Sequence, residues 1–479
     1  MKREAITYWR RTLIIIAFAL GAIASSQARP NILFILTDDQ RPDSFGYFGD
    51  KHAKTPHLDR VFKEGFVFNK AYLQGGMTSA VCLPSRSMIL SGQNLFEAPR
   101  DLAGVTTLPE RFRQVGYTTF LTGKWHNGEE SLLRSFDAAE DVFLGGAAGR
   151  HTNIPTWKKV GHGLERVEAN NRFSTEMFAD AAVSFVNQRK GNEAPFFLYL
   201  PLMAPHSPYT PPGAYRFSVD PDEIELPSNH YLNLSPQLRR NVQPGARGLA
   251  NMTVESARED YALYYGMIQH MDDQVGRVFS ALEKSGHWNN TLIVLATDHG
   301  ISLFSHGLGG KTNSYDHTSK VALAFKGPGV PKGQSSDALV YLFDVFPTVC
   351  ELSAISTPPS VSSRSLVPIM REPDATVRDY LFTAYLDTYR SIRDDRYKLL
   401  IHLPQQASFL YDLANDPHEV TNLWEQPNLA NKRHQLESEL GLARLFYNDT
   451  PENVQRLMSS RRPSRSARIG RQRRQPFRR

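Results

Sequence analysis

The chain has 479 residues, of which 41 % are apolar, so it can bury a large core, and we expect one large domain with a smaller one. Its formal charge of +6 comes from its two ends. Residues 1–28 carry a net +3, and residues 461–479, with nine arginines and no acidic residue, carry +9, which leaves −6 for residues 29–460. The basic balance therefore does not indicate a nucleic-acid-binding fold.

The N-terminal residues have the pattern of an export signal. A basic stretch at residues 2–11 precedes the apolar run 12–24, and Ser26-Gln27-Ala28 suits a cleavage site. The apolar run is short for a spanning helix, which favours a cleaved signal peptide at residues 1–28 over an uncleaved anchor. No other segment is apolar enough to cross a bilayer, so we expect no stable membrane span and a periplasmic or secreted protein.

Buried strands and helices alternate over most of the chain. The apolar runs predict strands of a parallel sheet at residues 31–37, 118–122, 196–200, 292–297 and 321–325. Helical patterns lie between them, at residues 55–64, 108–115 and 257–282. This alternation predicts a doubly wound α/β sheet.

The pattern changes beyond about residue 375. Extended runs at 381–385, 390–401 and 409–413, followed by a helical pattern at 429–442, predict an antiparallel sheet and a helix. We therefore divide the chain into a signal peptide (1–28), a catalytic domain (29–375), a smaller C-terminal domain (376–458) and a basic tail (459–479). The tail has almost no apolar residues and is predicted to be disordered.

Charged or imidazole side chains follow four of the predicted strands. In open α/β sheets, ligands bind at the C-terminal edge of the strands, so these side chains predict one shared site. They are Asp38 and Asp39, the run GKWH at residues 123–126 with Lys124 and His126, His206, and Asp298 with His299.

Three carboxylates and one imidazole in this set predict a metal site. Oxygen ligands favour a hard divalent cation such as Ca²⁺ or Mg²⁺, and the ligands would be Asp38, Asp39, Asp298 and His299. An aspartate after a strand also caps turns and helices, and for either pair alone that alternative is equally good. Two such pairs at the ends of two strands favour the metal.

The run Cys82-Leu83-Pro84-Ser85-Arg86 predicts a cysteine beside an anion site. A proline here suits the first turn of a helix, so Cys82 is placed at a helix N-terminus, where free N–H groups and the helix dipole favour anions. Arg86, one turn later, adds a planar guanidinium whose N–H donors match the oxygens of an oxyanion. The alternative is a structural cysteine, which is our interpretation of Cys350, the only other cysteine, in its apolar helical pattern.

Residues 82–92, CLPSRSMILSG, resemble the signature C-x-P-S-R-x-x-x-L-[ST]-G of the type I sulfatases, members of the alkaline phosphatase superfamily, at every specified position. GKWH at 123–126 is similar to that family's G-K-W-H, and GKTNSYDH at 310–317 to its G-K-x-x-x-Y-E-H, with Asp316 where Glu is usual. The resemblance extends from about residue 29 to 428. It implies a large mixed, mostly parallel sheet sandwiched by helices, as in alkaline phosphatase, and a smaller C-terminal α+β domain containing an antiparallel sheet.

The resemblance also implies a reaction, the hydrolysis of a sulfate ester. In this family a maturation enzyme oxidises the cysteine, here Cys82, to formylglycine (3-oxoalanine), and the hydrated aldehyde attacks sulfur with help from the metal and Arg86. A second hydroxyl then loses its proton to His126 and expels sulfate. Lys124 and His126 would contact the aldehyde hydrate and sulfate, His206 the sulfate, and Lys311 the sulfate and the leaving oxygen. The family metal is usually calcium, preferred here over Mg²⁺, although the position of His299 is often Asn.

Two alternatives remain beside a sulfatase acting on a sulfated carbohydrate, the substrate that export and polar loops favour. One is a phosphonate or phosphate ester hydrolase of the same superfamily, which could share formylglycine. The other is a non-catalytic, glycan-binding homologue. The presence of a catalytically competent residue type at every proposed catalytic position argues against it. The arginine tail could bind a sulfated polyanion or an anionic surface by its charge, or be a solvated end without a ligand.

Overall fold

The structure is a computed structural model, and the residues it describes are 29–168, 171–189, 193–230 and 253–459. The predicted signal peptide and the basic tail beyond Ser459 lie outside these residues. Among the described residues, no helix combines the length and apolar character that crossing a membrane requires.

The strands are β1 (Asn31–Thr37), β2 (Phe66–Tyr72), β3 (Gly75–Gly76), β4 (Thr118–Lys124), β5 (Ala138–Phe143), β6 (Thr156–Val160), β7 (Gly163–Val167), β8 (Phe196–Pro201), β9 (Thr291–Thr297), β10 (Lys320–Val321), β11 (Leu323–Lys326), β12 (Gln334–Tyr341), β13 (Leu381–Tyr385), β14 (Tyr389–Arg393), β15 (Tyr397–His402) and β16 (Ala407–Asp412).

The α-helices are α1 (Pro56–Glu64), α2 (Cys82–Ser91), α3 (Leu108–Gln114), α4 (Glu129–Ser135), α5 (Ser174–Gln188), α6 (Val254–Lys284), α7 (Asp316–Ser319), α8 (Val345–Leu352), α9 (Val367–Arg371), α10 (Ala430–Phe446) and α11 (Pro451–Ser459). Their boundaries follow local chemistry. Thr107 and Glu110 form a capping box at the start of α3, and α2 ends at Gly92, whose φ of 66° suits glycine.

A large mixed sheet forms the centre of the molecule. Its order is β10-β2-β11-β9-β1-β8-β4-β5-β6-β7, with β12 paired to β2. The central strands β9, β1, β8 and β4 are parallel and almost entirely buried, as their apolar runs predicted. Separate apolar clusters cover the two faces of the sheet, since alternate residues of β1 belong to different clusters. The predicted α/β architecture is confirmed.

Two predicted strands differ from the structure. The run 321–325 was predicted as a strand of the parallel sheet, but β11 is antiparallel to both β9 and β2. A buried run in a mixed sheet has the same apolar pattern in either direction, so composition could not decide the orientation. The run 390–401 is not one strand but the hairpin β14–β15, because Asp394 accepts hydrogen bonds from the backbone of Arg396 and Tyr397 and so closes a turn.

A second sheet follows, in the order β16-β15-β14-β13-β3. Its C-terminal strands are antiparallel, whereas the short β3 joins β13 in parallel. Apolar side chains of this sheet and of α10 belong to the same buried cluster as one face of the large sheet. The C-terminal sheet therefore shares one buried core with helix α2 and with that face of the large sheet. The domain boundary near residue 375 stays a prediction.

Candidate active site

Four parallel strands place the predicted site residues at one edge. The strands β9, β1, β8 and β4 are neighbours, and the segments that leave their C-terminal ends are joined by hydrogen bonds. The backbone N–H of Asp298 donates to the carbonyl of Thr37 (3.0 Å), and that of Asp38 to the carbonyl of Ala204 (3.2 Å). The edge therefore gathers side chains that are far apart in the sequence.

Cys82 lies at the first residue of α2 and is 2 % exposed. Its Sγ is 3.4 Å from Nζ of Lys124, and its side chain also interacts with His126. Burial raises the pKa of the Cys82 thiol, but the positive charges of Lys124 and Lys311 outweigh it and hold that pKa well below its usual value. The surroundings of Cys82 thus favour a negatively charged atom at the end of the side chain at position 82.

Arg86, one turn after Cys82, is almost fully buried and points into the same edge. Its Nη2 lies 3.1 Å from Asp298 Oδ2 and 3.7 Å from Asp38 Oδ2, while Nη1 donates to the carbonyl of Lys124 (3.0 Å). Nη2 makes these ion pairs without a well-aligned hydrogen bond. The guanidinium is therefore fixed by protein groups and retains donor capacity toward the site.

The carboxylates and His299 form a cluster that fits a divalent cation. Ligand atoms of Asp38, Cys82, Asp298 and His299 all lie within 4.8 Å of one another. Asp38 Oδ1 and His299 Nε2 are buried without a hydrogen-bond partner, as metal-facing atoms would be. Burial and the nearby Asp38 carboxylate raise the pKa of Asp298 to about 7, which shows how costly the negative charge is there. A cation would offset that cost.

Asp39 connects the cluster of carboxylates and His299 to the more open side of the site. Its Oδ1 lies 2.5 Å from Nζ of Lys311 and 3.3 Å from Nε2 of His299, and its Oδ2 lies 3.6 Å from Nε2 of His206. The side chains of Lys311 and His206 are 14 % and 15 % exposed, whereas those of Asp38 and Lys124 are fully buried. A substrate would therefore enter past Lys311 and His206.

The structure brings all ten predicted site residues together: Asp38, Asp39, Cys82, Arg86, Lys124, His126, His206, Asp298, His299 and Lys311. His306 lies a few residues after Asp298 and His299, and its sequence position suits either substrate binding or packing. Its ring stacks on Tyr315 at 3.9 Å between centroids, and its Nε2 pairs with the carbonyl of Glu419, so it packs. Cys350 is fully buried in α8, and burial raises the pKa of its thiol to about 12.

Sequence reasoning missed several residues that shape the site. The Tyr264 hydroxyl donates to the carbonyl of Asp39 (3.0 Å), and Nε2 of His151 pairs with the carbonyl of His206 (2.7 Å). A Cβ at Gly146 would lie 2.7 Å from the His126 ring, so any larger residue there would require that ring to move. Tyr264 lies in a helical pattern and Gly146 in a loop, and neither carries a local signal of its contact.

Comparisons with known proteins agree with this geometry. A family model described as Sulfatase matches residues 30–355. The chain belongs to the sulfatase family. It is therefore a hydrolase that acts on sulfate esters, which confirms the resemblance stated above. A second model, described as N-sulphoglucosamine sulphohydrolase, C-terminal, matches residues 305–445.

Relatives of this sulfatase cover most of its length. An arylsulfatase of Clostridium perfringens is 28 % identical over 444 residues, which cover 82 % of this chain and 90 % of the relative. An N-acetylglucosamine-6-O-sulfatase of Bacteroides thetaiotaomicron is 24 % identical, covering 90 % of both chains.

Solved structures share the fold of the sulfatase. A protein in complex with its substrate D-glucosamine-2-N,6-O-disulfate superimposes with a TM-score of 0.75 at 22 % identity, covering 89 % of this chain and 99 % of that chain. A phosphonate monoester hydrolase of Agrobacterium radiobacter superimposes with a TM-score of 0.70 at 21 % identity, covering 88 % and 96 %. The fold is thus shared by enzymes with different ester substrates.

Proposed function

We propose that this sulfatase releases inorganic sulfate from a sulfated carbohydrate. The observation that carries the proposal is the position of Cys82, at a helix N-terminus, between Lys124 and a carboxylate cluster that fits a divalent cation. Support for a sugar substrate comes from the N-acetylglucosamine-6-O-sulfatase relative and from the neighbouring fold that binds a glucosamine disulfate.

The metal in this proposal is Ca²⁺, with Mg²⁺ as the second choice. Asp38, Asp39, Asp298 and His299 would hold it, because carboxylate oxygens dominate the set and suit a hard cation. Bound there, the cation supplies positive charge to the sulfate oxygens and to the nucleophile. The positive charges of Arg86, Lys124 and Lys311 balance those of the three aspartates, so a divalent cation leaves a net positive charge for an anionic ester.

Cys82 is proposed as the precursor of formylglycine, made by a maturation enzyme. Formylglycine at this position would, as its hydrate, offer one hydroxyl as the nucleophile and a second one for the release of sulfate. Lys124, fixed by its ion pair with Asp38, would hold the group at position 82 and the sulfate. Burial lowers the pKa of His126, so the imidazole is neutral and can take a proton from that group.

Lys311 and His206 are proposed to bind the sulfate at the open side of the site. The Lys311 ammonium would stabilise the charge that builds on the bridging oxygen as the S–O bond breaks, and His206 would contact a sulfate oxygen. Arg86, which pairs with Asp38 and Asp298, would help to activate the group at position 82 and holds the first turn of α2 against the carboxylates. Together these residues bind, orient and exchange protons around one tetrahedral anion.

Export is proposed as well. The basic, apolar and small-residue segments of residues 1–28 support a signal peptide, which would send the enzyme to the periplasm or out of the cell. Peptide mass of the enzyme recovered from the exporting host, with Arg29 as the first residue, would support it. A chain retained with Met1 intact would contradict it.

The test of the proposed activity compares the release of inorganic sulfate from sulfated sugars and aryl sulfates with the release of the alcohol from phosphonate and phosphate esters. The enzyme is produced in a host that converts the cysteine, and peptide mass confirms formylglycine at position 82. We expect sulfate release from a sulfated sugar and none from the matched Cys82→Ser variant, which lacks the second hydroxyl for turnover. Hydrolysis of the phosphonate or phosphate esters alone, or multiple turnovers by Cys82→Ser, would contradict the proposal.

A further inference from the structure

Both flanks of the segment that carries Lys311 contact one residue of the C-terminal sheet region, Glu419. Five residues before Lys311, Nε2 of His306 pairs with the carbonyl of Glu419 at 3.0 Å. Five residues after it, the backbone N–H of Asp316 donates to Glu419 Oε2 at 2.7 Å. Glu419 is 2 % exposed and does not belong to the site residues described above. One side chain and its own backbone thus hold the base of an eleven-residue segment, 306–316.

The backbone that leads into this segment is strained, and its conformation needs such support. Leu303, Phe304 and His306 have φ values of 41°, 70° and 55°, and Glu419 itself has a φ of 54°. Non-glycine residues in this region of φ are strained, and they persist only where surrounding contacts determine the conformation. The contacts with Glu419 therefore stabilise a strained backbone conformation. An unstrained surface loop would not need such contacts.

Glu419 is itself fixed by a buried network of alternating charges. Lys398 Nζ lies 2.7 Å from Glu419 Oε1 and 2.7 Å from Asp316 Oδ1, and its side chain is 2 % exposed. The Tyr72 hydroxyl donates to Asp316 Oδ2 (2.6 Å), and Arg393 Nη1 lies 3.6 Å from the same oxygen. Two cations face two carboxylates, so removing one of them leaves an uncompensated buried charge. The network joins β2 and the strands β14 and β15 to the Lys311 segment.

We propose that Glu419, with Lys398, is a positioning residue that holds Lys311 against Asp39 and the sulfate subsite. The inference rests on the proposed role of Lys311 in binding sulfate. Glu419 acts through the two flanks of the 306–316 segment and touches neither Cys82 nor the carboxylate cluster. The C-terminal sheet is thereby part of the active-site architecture, although it supplies no group that meets the substrate.

The test is a double-mutant cycle on the mature enzyme with a sulfate ester that it hydrolyses. Glu419→Ala is expected to lower kcat/KM about 10- to 100-fold, the usual effect of losing a partner that orients an active-site group. In the Lys311→Ala background, the same change is expected to cost less than about twofold, since residues that act as a unit are not additive. Glu419→Gln, which keeps an acceptor for the N–H of Asp316, should recover part of the loss.

The matched control is Asp449→Asn. Asp449 is buried and forms a two-pronged ion pair with Arg390, at 2.6 and 2.7 Å, in the same C-terminal sheet, but does not contact the 306–316 segment. We expect it to lower Tm while kcat/KM of the folded enzyme stays within about twofold. An equal loss of kcat/KM in the control, or a fully additive cycle, would overturn the positioning role.

Hydrogen exchange decides the case independently of turnover. Glu419→Ala, or Glu419→Gln if the alanine variant does not fold, should speed exchange in peptides spanning 303–316, whereas Asp449→Asn should leave them protected. Unchanged protection in both Glu419 variants would overturn the inference. A wild-type enzyme without sulfate release would count against the proposed function, whereas selective deprotection would still support the contacts of Glu419.

Discussion

Asp39 contacts more of the charged and imidazole side chains in the proposed active site than its sequence position suggests. One carboxylate oxygen meets Lys311 and His299, and the other faces His206, while its carbonyl accepts a hydrogen bond from Tyr264. Its φ of 61° lies in the left-handed region, which aspartate adopts more readily than most residues, and these partners hold it there. The residue links the buried cluster of carboxylates and His299 to Lys311 and His206 at the exposed side of the site. Its position depends on contacts with three different segments of the chain.

Metal removal should reveal the electrostatic cost of the carboxylate cluster. Because Asp38 and Asp298 repel each other without a cation, Ca²⁺ at about 100 times its Kd should stabilise the chelator-treated enzyme by about 2.7 kcal/mol and raise its Tm. Calorimetry with and without Ca²⁺ measures this. The response should shrink in Asp298→Asn but persist in Asp344→Asn, whose carboxylate pairs with Arg378 away from the site. A Tm that responds to neither Ca²⁺ nor Mg²⁺ would contradict the metal assignment.

At the scale of the elements, the ends of short strands carry the site, so small changes in strand geometry should reach it. Gly123, one residue before Lys124, has a φ of 126°, and a Cβ there would lie 2.1 Å from the carbonyl oxygen of Pro201 in β8. The paired register of β4 and β8 ends at Leu121 and Tyr199, two residues before Gly123 and Pro201. Close backbone approach at Gly123 thus sets where Lys124 leaves the sheet.

Gly123→Ala should therefore be destabilising by at least about 2 kcal/mol and should also reduce kcat/KM, because the added methyl group must push β4 away from β8. Gly116→Ala is the matched control, since Gly116 has a φ of 92° but open space around it. The control shares the backbone strain without the clash, so its kcat/KM should stay near the wild-type value. Denaturant unfolding and steady-state kinetics measure both effects, and equal losses in the two variants would disprove the argument.

At the scale of the whole molecule, the charge is divided unevenly. The nine arginines of residues 461–479 carry more positive charge than the whole chain has net, so removing them changes the formal charge from +6 to −3. The site itself already balances its charges locally. The tail should therefore affect association with large anionic surfaces and leave the chemistry of a small substrate unchanged.

Deletion of residues 461–479 should lower the salt concentration at which the enzyme elutes from an immobilised sulfated polysaccharide, with kcat/KM for a small sulfate ester unchanged. A chain in which the nine arginines are replaced by lysines should elute close to the wild type, because it keeps the charge. Identical elution of the deleted and intact chains would show that the tail is a solvated end without a ligand.

Local patterns in the sequence determined most of the fold class and the composition of the site. Short apolar runs such as 31–37 and 292–297 are typical of buried parallel strands, and the run around Cys82 carries its helix start, its anion preference and its family resemblance within eleven residues. The pairs Asp38-Asp39 and Asp298-His299 each follow such a run directly. Their convergence follows from the rule that parallel strands end at the same edge.

Only the tertiary structure decided which residues support those side chains. The antiparallel direction of β11, the fit of Gly146 against His126 and the contacts of Glu419 with both flanks of the Lys311 segment join residues that are distant in the sequence. Such contacts depend on packing between elements, and a single glycine, glutamate or lysine has the same local pattern whether it faces solvent or holds an active-site segment. Residue types and their periodicity thus specify the strands and the chemistry at their ends, whereas the relative placement of elements specifies how rigidly that chemistry is held.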